Sequence, residues 1–420
     1  MKSESIEKGS LISAIFLVAG TCIGGGMLAL PIATGVNGFL PSIAMMSLCW
    51  FAMTISALLL IEVSLWLEEG AHIITMSSRI LGPIGKGISW IVYLFICYAS
   101  IIAYTAGGGM QISHAVGKYL QIPISNEIGC AMFILFFGSI VYLGSAIIGR
   151  VNAILFTAMI VAFVLLIGMG VDEINPSLLM HRKWNGATMA LPLLLTGFSF
   201  QTMVPSLTPF LKRNPDALRW AVIGGTSLTF IIYLVWQALI LGVVPVEGSH
   251  GLLEALKQGV PATIFLSEHV EGYWICQIAE YFAFFAIVTS FLGLCLGLFD
   301  FLSDGLKIKN QGWGHLKLGA LVLIPTLVSA SYFERVFLAA MDSTGGFGDT
   351  ILNGIIPVLM VWIGRYRLGY QSAFRIPGGK PLLVLIGGMF LSVLVTEFLM
   401  YVGYYPSFYE AYDILEVHNL

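Results

Sequence analysis

Ala19-Gly20-Thr21-Cys22-Ile23-Gly24-Gly25-Gly26-Met27-Leu28 sits in the middle of an apolar run extending from residue 10 to 35, and Pro31 follows within it. A run of about 20 apolar residues is enough to cross the hydrocarbon of a bilayer. The centre of this one resists continuous helix, because each interior glycine costs roughly 1 kcal/mol relative to alanine. A second run, 187–211, is interrupted by Thr196-Gly197-Phe198-Ser199-Phe200-Gln201 between Pro192 and Pro205. A third interruption, Thr344-Gly345-Gly346-Phe347-Gly348, falls in the run 335–364.

The remainder of the chain supplies the setting. Of its 420 residues, 58% are hydrophobic and 10% charged, against about 25% charged in a typical soluble domain. A soluble fold of this size cannot hide so much apolar surface, which excludes an ordinary cytosolic enzyme, a coiled coil, collagen and a disordered chain. Net charge is -3 without a basic tract, so nothing points to nucleic acid. Six cysteines lie in apolar runs without a CxxC pair, which argues against a disulfide framework or a zinc site. No cofactor or metal is called for. The first run has no convincing cleavage site and reads as a retained span.

Eleven runs are expected to span the membrane: 10–35, 39–66, 86–115, 128–147, 150–171, 187–211, 219–243, 273–302, 315–332, 335–364 and 381–403. They read as helices, since lipid offers no partner to an open backbone. With the N-terminus cytoplasmic, 15 of the 20 Lys and Arg fall on the cytoplasmic side and 5 outside, as the positive-inside rule favours. Arg150 is expected in a short turn between spans four and five. The odd span count puts the acidic tail, with Glu410, Asp413 and Glu416, outside. In the outer segment 244–272, Leu252 to Gln258 reads either as a short helix over the outer face or as a plain loop.

The first two interruptions are five spans apart. An odd offset inverts the second copy in the membrane, and paired broken helices at matching points are the sequence signature of a transporter site. The expected organisation is a cytoplasmic N-terminus 1–9, a five-helix repeat 10–171, a second five-helix repeat 187–364, an eleventh helix 381–403 and an external tail 404–420. Unwound backbone at membrane depth is tolerated only where a cavity, ion or substrate satisfies it. Half-helix N-termini attract a carboxylate and C-termini a cation, so a zwitterionic amino acid suits both. The run Gly107-Gly108-Gly109 in span three is assigned to close helix packing instead.

At this point the residues resemble a known family. AGTCIGGGMLALP at 19–31 is similar to the first-span signature of the hydroxy and aromatic amino acid permeases, and GFSFQTMVPSL at 197–207 to their sixth span. TSFLGLCLGLFDFLSD at 289–304, NGIIPVLMVW at 353–362 and FRIPGGKPLLV at 374–384 also match that family. The resemblance covers nearly the whole chain. It implies the amino acid–polyamine–cation superfamily, an all-α, LeuT-like core of two inverted five-helix repeats, and proton-coupled uptake of an aromatic amino acid through the inner membrane. Sodium is the alternative coupling ion, since Thr21 and freed carbonyls can coordinate it, and a hydroxy amino acid (serine or threonine) the alternative substrate. One departure is Gln201, where the family commonly has a histidine; Gln cannot titrate.

Candidate site residues follow. The backbone of Thr21, Gly24, Gly25 and Gly26 and of Thr196, Phe198, Ser199, Phe200 and Gln201 is expected to hold the substrate's charged ends. An aromatic ring needs an apolar slot with a polar end, for which Phe198, Phe200, Tyr104 and Tyr281 are the candidates. Ionisable groups inside spans default to functional hypotheses. Among Glu62, Glu280, Asp342, Asp349, Glu397 and His114, Glu280 is the candidate proton carrier. Glu62 is expected to snorkel to the cytoplasmic interface, and Glu397 to be structural. Asp300 and Asp304 are gate candidates at the cytoplasmic end of span eight, near Lys307 and Lys309. Gly346-Phe347-Gly348-Asp349 also fits the GxGD pattern of intramembrane aspartyl proteases. Those require two aspartates sharing a proton, and the only Tyr-Asp pair, Tyr412-Asp413, lies in the tail. Asp349 is therefore expected to cap the helix that resumes after the glycines. The chain reads as a transporter, not an enzyme.

Overall fold

The computed structural model describes residues 8–69, 71–142, 145–270, 273–308, 312–332 and 336–405. The expectations for 1–7 and for the acidic tail beyond 405, with Lys309 and Tyr412-Asp413, lie outside them. Every described span is helical, which is the solution lipid imposes on backbone amides.

Span one is split into Lys8–Cys22 and Gly25–Gly35, bent by 57° at Ile23 and Gly24. Span two, Phe39–Trp66, is continuous. Span three occupies 83–120: Gly82 at φ 77 and Pro83 separate it from a short lead-in helix at 73–81. Only glycine takes that backbone without strain, and proline is favoured at the first helical position. Spans four and five are Asn126–Tyr142 and Ser145–Gly170. Seventeen residues rise about 26 Å, so span four is just long enough. Arg150 lies within the fifth helix, which begins at Ser145. Apolarity alone did not mark this boundary, because the residues around it are as apolar as the rest of the two helices.

Span six is split into Leu191–Gly197 and Val204–Phe210. Phe198 to Phe200 are non-helical, and a 3-10 turn at Gln201–Met203 follows. Spans seven to nine are Pro215–Val243, Tyr273–Leu306 and Trp313–Tyr332. Span ten runs Val336–Tyr366, and span eleven Gly379–Tyr401.

The third interruption takes a different form. Span ten does not unwind; it widens to a π-helix over Thr344–Ile355, and Thr350 Oγ1 reaches back five residues to the Gly345 carbonyl (2.7 Å). π-turns inside helices mark functional sites. The glycines are there for close approach. A Cβ on Gly345 would stand 1.7 Å from the Pro192 carbonyl oxygen, and one on Gly346 2.5 Å from Glu397 Cδ. Spans six and eleven thus press on span ten where it has no side chains. Gly108 and Gly109 likewise lie against Phe133 and Cys130 of span four.

The side bearing the N-terminus is locked by an ion pair. Arg365 of span ten reaches both oxygens of Glu62 on span two (2.6 and 2.5 Å), with side-chain exposures of 3% and 2%. Glu62 also accepts the Ile376 amide (3.2 Å). This corrects the snorkelling expectation: the carboxylate is held in the protein by a bidentate guanidinium, which replaces its water. On the opposite side, Leu252–Gln258 is a helix. Leu252 is fully buried and lies against Gly35 at the end of span one.

Candidate functional site

The two breaks meet. The hydroxyl of Tyr233, on span seven, lies 2.7 Å from the Cys22 carbonyl and 2.8 Å from the Gly197 carbonyl. Each is the last helical residue before its break, where a carbonyl loses its intrahelical partner. One phenol therefore ties together both orphan helix ends. Trp236, one turn on, donates its Nε1–H to the Met27 carbonyl (3.1 Å). Gly26 faces Gly197, with 3.9 Å between its ideal Cβ position and the Gly197 Cα.

Beyond the span-one break, helix restarts at Gly25, and its free amide donates to Ser290 Oγ of span eight (3.1 Å). A helix N-terminus with an available amide is where a carboxylate binds. A Cβ on Gly25 would stand 2.4 Å from Tyr104 Cε1, and one on Gly24 2.2 Å from Ser290 Oγ. Tyr104 is buried and covers the break from span three. Thr21 is exposed, and its hydroxyl bonds back to Leu17 of its own helix (2.8 Å).

Around the span-six break, Phe198 is buried and packs edge-on against Tyr233 at 5.3 Å, the geometry the ring quadrupole prefers. Phe200 is also buried. Gln201 links the break to span two: its Oε1 accepts the Phe200 amide (2.9 Å) and its Nε2 donates to the Met53 carbonyl (3.1 Å). It satisfies backbone that unwinding leaves bare. Thr196 donates to the Met341 carbonyl of span ten (2.9 Å).

Ser199 joins a polar cluster that sequence reasoning did not assemble. Its Oγ donates to Asp349 Oδ1 (2.7 Å), and Asn353 Nδ2 donates to Asp349 Oδ1 (2.7 Å) and Ser199 Oγ (3.0 Å). Asp349 therefore caps no resumed helix, because span ten is never interrupted; the wide turn aims its carboxyl at span six. Asp342 and Glu397 form a second buried pair of carboxyls, each with one unpartnered oxygen, and Glu397 lies against Gly346.

Other candidates stand elsewhere. Glu280 pairs with Lys118 (2.9 Å) near the opposite end of span three, with His114 at 4.0 Å. Tyr281 is 52% exposed and turned away from the breaks. Asp300 and Asp304 are exposed on span eight. Asp300 is near Tyr93, whose ring packs on Phe301 and, edge-on, on His72. Ser290, Tyr233 and Asn353 were missed; each meets a break only through folding. No group of three or more His, Cys, Asp or Glu able to hold a metal occurs among the described residues.

The family model described as the tryptophan/tyrosine permease family matches residues 7–398. The tyrosine-specific transport system 1 of Haemophilus influenzae is 30% identical over 406 residues, covering 94% of this chain and 98% of that protein. A tryptophan-specific transport protein of Pseudomonas aeruginosa is 28% identical, covering 90% and 91%. The low affinity tryptophan permease of Escherichia coli is 28% identical, covering 93% and 96%. Among solved structures, MhsT in complex with L-phenylalanine superposes with a TM-score of 0.64 at 12% identity, covering 95% of this chain and 99% of that one. The likeness shows the fold: an all-helical, LeuT-like membrane protein with broken first and sixth spans.

Proposed function

This chain belongs to the tryptophan/tyrosine permease family, and on that premise we propose that it imports an aromatic L-amino acid, tyrosine first and tryptophan second, through the inner membrane by proton symport. Family membership makes it a multi-pass transport protein and not an enzyme. The relatives named for tyrosine and tryptophan transport support the substrate class.

The observation that carries the reading is the junction at Tyr233, where both broken spans turn their bare backbone towards one point. The substrate's α-carboxylate goes to the helix start at 24–26, displacing Ser290 from the Gly25 amide. Its α-amine goes to carbonyls at 196–200. Tyr104 and Phe198 wall the ring. Rocking of one helix bundle against the rest exposes the site to each side in turn. The N-terminus is cytoplasmic on this reading, by the Lys and Arg asymmetry.

Labelled tyrosine uptake into proteoliposomes tests it, under an imposed pH gradient and then a sodium gradient, with a competition panel of amino acids. Accumulation driven by the pH gradient and blocked by tryptophan is the expected result. Drive by sodium alone, or competition by serine and threonine only, contradicts it.

A further inference from the structure

We propose that Asp349 is the site that takes up and releases the coupling proton, with Asn353 as its amide partner and Ser199 as its link to the unwound part of span six. The assignment rests on the proton-symport reading above and gives that reading its titrating group.

The cluster has an incomplete pairing that one proton completes. Asp349 and Asn353 are both fully buried and stand four residues apart on the wide turn, so their side chains share a face. Asp349 Oδ1 receives Asn353 Nδ2 and Ser199 Oγ, while Asp349 Oδ2 and Asn353 Oδ1 accept no hydrogen bond; the Thr196 hydroxyl stands near the carboxyl but donates to the Met341 carbonyl. Two buried acceptors without donors are costly. A carboxylic acid and a primary amide pair in a ring: the amide N–H meets one acid oxygen, and the acid O–H meets the amide oxygen. The first of those bonds is present. The second requires a proton on Asp349 Oδ2 and that oxygen turned to Asn353 Oδ1, and it would satisfy both orphans at once.

The described residues around it offer the carboxylate no counter-ion. An isolated carboxylate in a medium of low dielectric is expensive unless a cation pairs with it. Among the described residues, none of the elements packed on the wide turn brings one. Span six has no charged residue between 187 and 210 and offers the hydroxyls of Thr196 and Ser199. Span three faces the carboxyl with Tyr104, with Cys97 and Tyr93 farther along; its Lys86, His114 and Lys118 are towards its ends. Span eleven brings Glu397, which lies against Gly346, and span ten itself brings Asp342. Span two brings the Ser56 hydroxyl to the Asn353 carbonyl, and its one charged residue, Glu62, is held by Arg365, while Lys380 lies over Trp362 and Tyr366.

Charge on Asp349 is felt at the break. A hydrogen bond to a carboxylate is roughly twice as strong as one to a neutral acid. Deprotonated, Asp349 holds the Ser199 hydroxyl and with it the unwound strand 198–200. Protonated, it turns to Asn353 and frees Ser199 for the substrate. Proton and amino acid thereby favour the same arrangement, which is what symport requires thermodynamically. Glu280, the other candidate, is engaged by Lys118 and touches neither break.

The test uses the full-length protein in proteoliposomes, comparing wild type, Asp349→Asn and Glu280→Gln in pH-driven accumulation and in tyrosine counterflow exchange, which needs no net proton movement. Asparagine imitates the neutral acid. Asp349→Asn is expected to hold accumulation at a ratio of about one where a one-unit gradient drives up to about tenfold in wild type, while exchange persists. Wild-type accumulation in Asp349→Asn overturns the assignment and leaves proton symport standing, as does loss of pH drive in Glu280→Gln alone. A wild type indifferent to the pH gradient overturns the symport reading and this inference with it. Should Asp349→Asn fail to insert, Asn353→Leu replaces it: the acid stays, its partner goes, and the pH midpoint of uptake moves by about one unit. An unmoved midpoint contradicts the proposal.

Discussion

The Tyr233 hydroxyl is shared between the carbonyls of Cys22 and Gly197, at 2.7 and 2.8 Å, and so binds the ends of two broken helices that lie 175 residues apart in sequence. A phenol has one proton, and two acceptors compete for it. The arrangement is satisfied by halves, so it can yield to a substrate amine that brings more donors. Tyr233→Phe should leave both carbonyls bare and cost about 1–3 kcal/mol. Thermal unfolding in detergent should show the loss, and tyrosine uptake should fall about tenfold. Unchanged values in both assays would show that the junction is incidental.

Gly25 is the tightest of the three glycines against an aromatic neighbour. Gly25→Ala puts a methyl 2.4 Å from Tyr104 Cε1, an overpacking expected to cost about 1–3 kcal/mol. Adding Tyr104→Leu, which removes the clashing ring edge and leaves most of the space filled, should recover part of the stability, while Gly26→Ala, with nothing closer than 3.9 Å, should leave it intact. Melting temperatures of the three variants decide the point. A destabilised Gly26→Ala beside a stable Gly25→Ala would reverse it.

These glycines also show how much was legible in advance. Their cost in a helix is local, so both breaks could be read from residues 19–28 and 196–201 alone. The partners could not. Ser290 is 265 residues from Gly25, and Asp349 is 150 from Ser199; only packing brings them together. From Tyr281 to Val288 span eight is apolar on every face, so no periodicity told which side Tyr281 would take, and it faces away. Glu62 was misjudged because its depth was readable and its partner was not. Gln201 was expected at the substrate and instead points at span two, meeting the backbone demand that the unwinding itself creates.

The Glu62–Arg365 pair makes a prediction about stability. Removing one member of a buried pair strands the other and costs about 3–5 kcal/mol, whereas replacing both with apolar or neutral residues of similar size is nearly neutral. Arg365→Met should destabilise strongly, and Glu62→Gln with Arg365→Met should recover most of the loss in the same unfolding assay. No recovery in the double variant would mean that the pair's role is not electrostatic.

His72 caps the lead-in helix with a neutral ring nitrogen: Nδ1 accepts the Ile74 amide (3.4 Å). Burial lowers its pKa below the usual histidine range. A depressed histidine stays neutral when folded but binds a proton when unfolded. Stability therefore falls as pH drops from the ordinary histidine pKa towards the folded one, and is unaffected above it. His72→Asn keeps a capping acceptor without the titration, so its unfolding temperature should vary less with pH over that window than that of wild type. Equal slopes would remove His72 from the account.

The central claim is that bare backbone at two broken helices grips a zwitterion, and a structure of the protein with tyrosine bound tests it most directly. The α-carboxylate should lie within about 2.7–3.2 Å of amides at 24–26, with the α-amine on carbonyls of 196–200 and Ser290 displaced from Gly25. Tyrosine bound elsewhere, with the Gly25 amide still on Ser290 and Tyr233 still bridging both carbonyls, would contradict it.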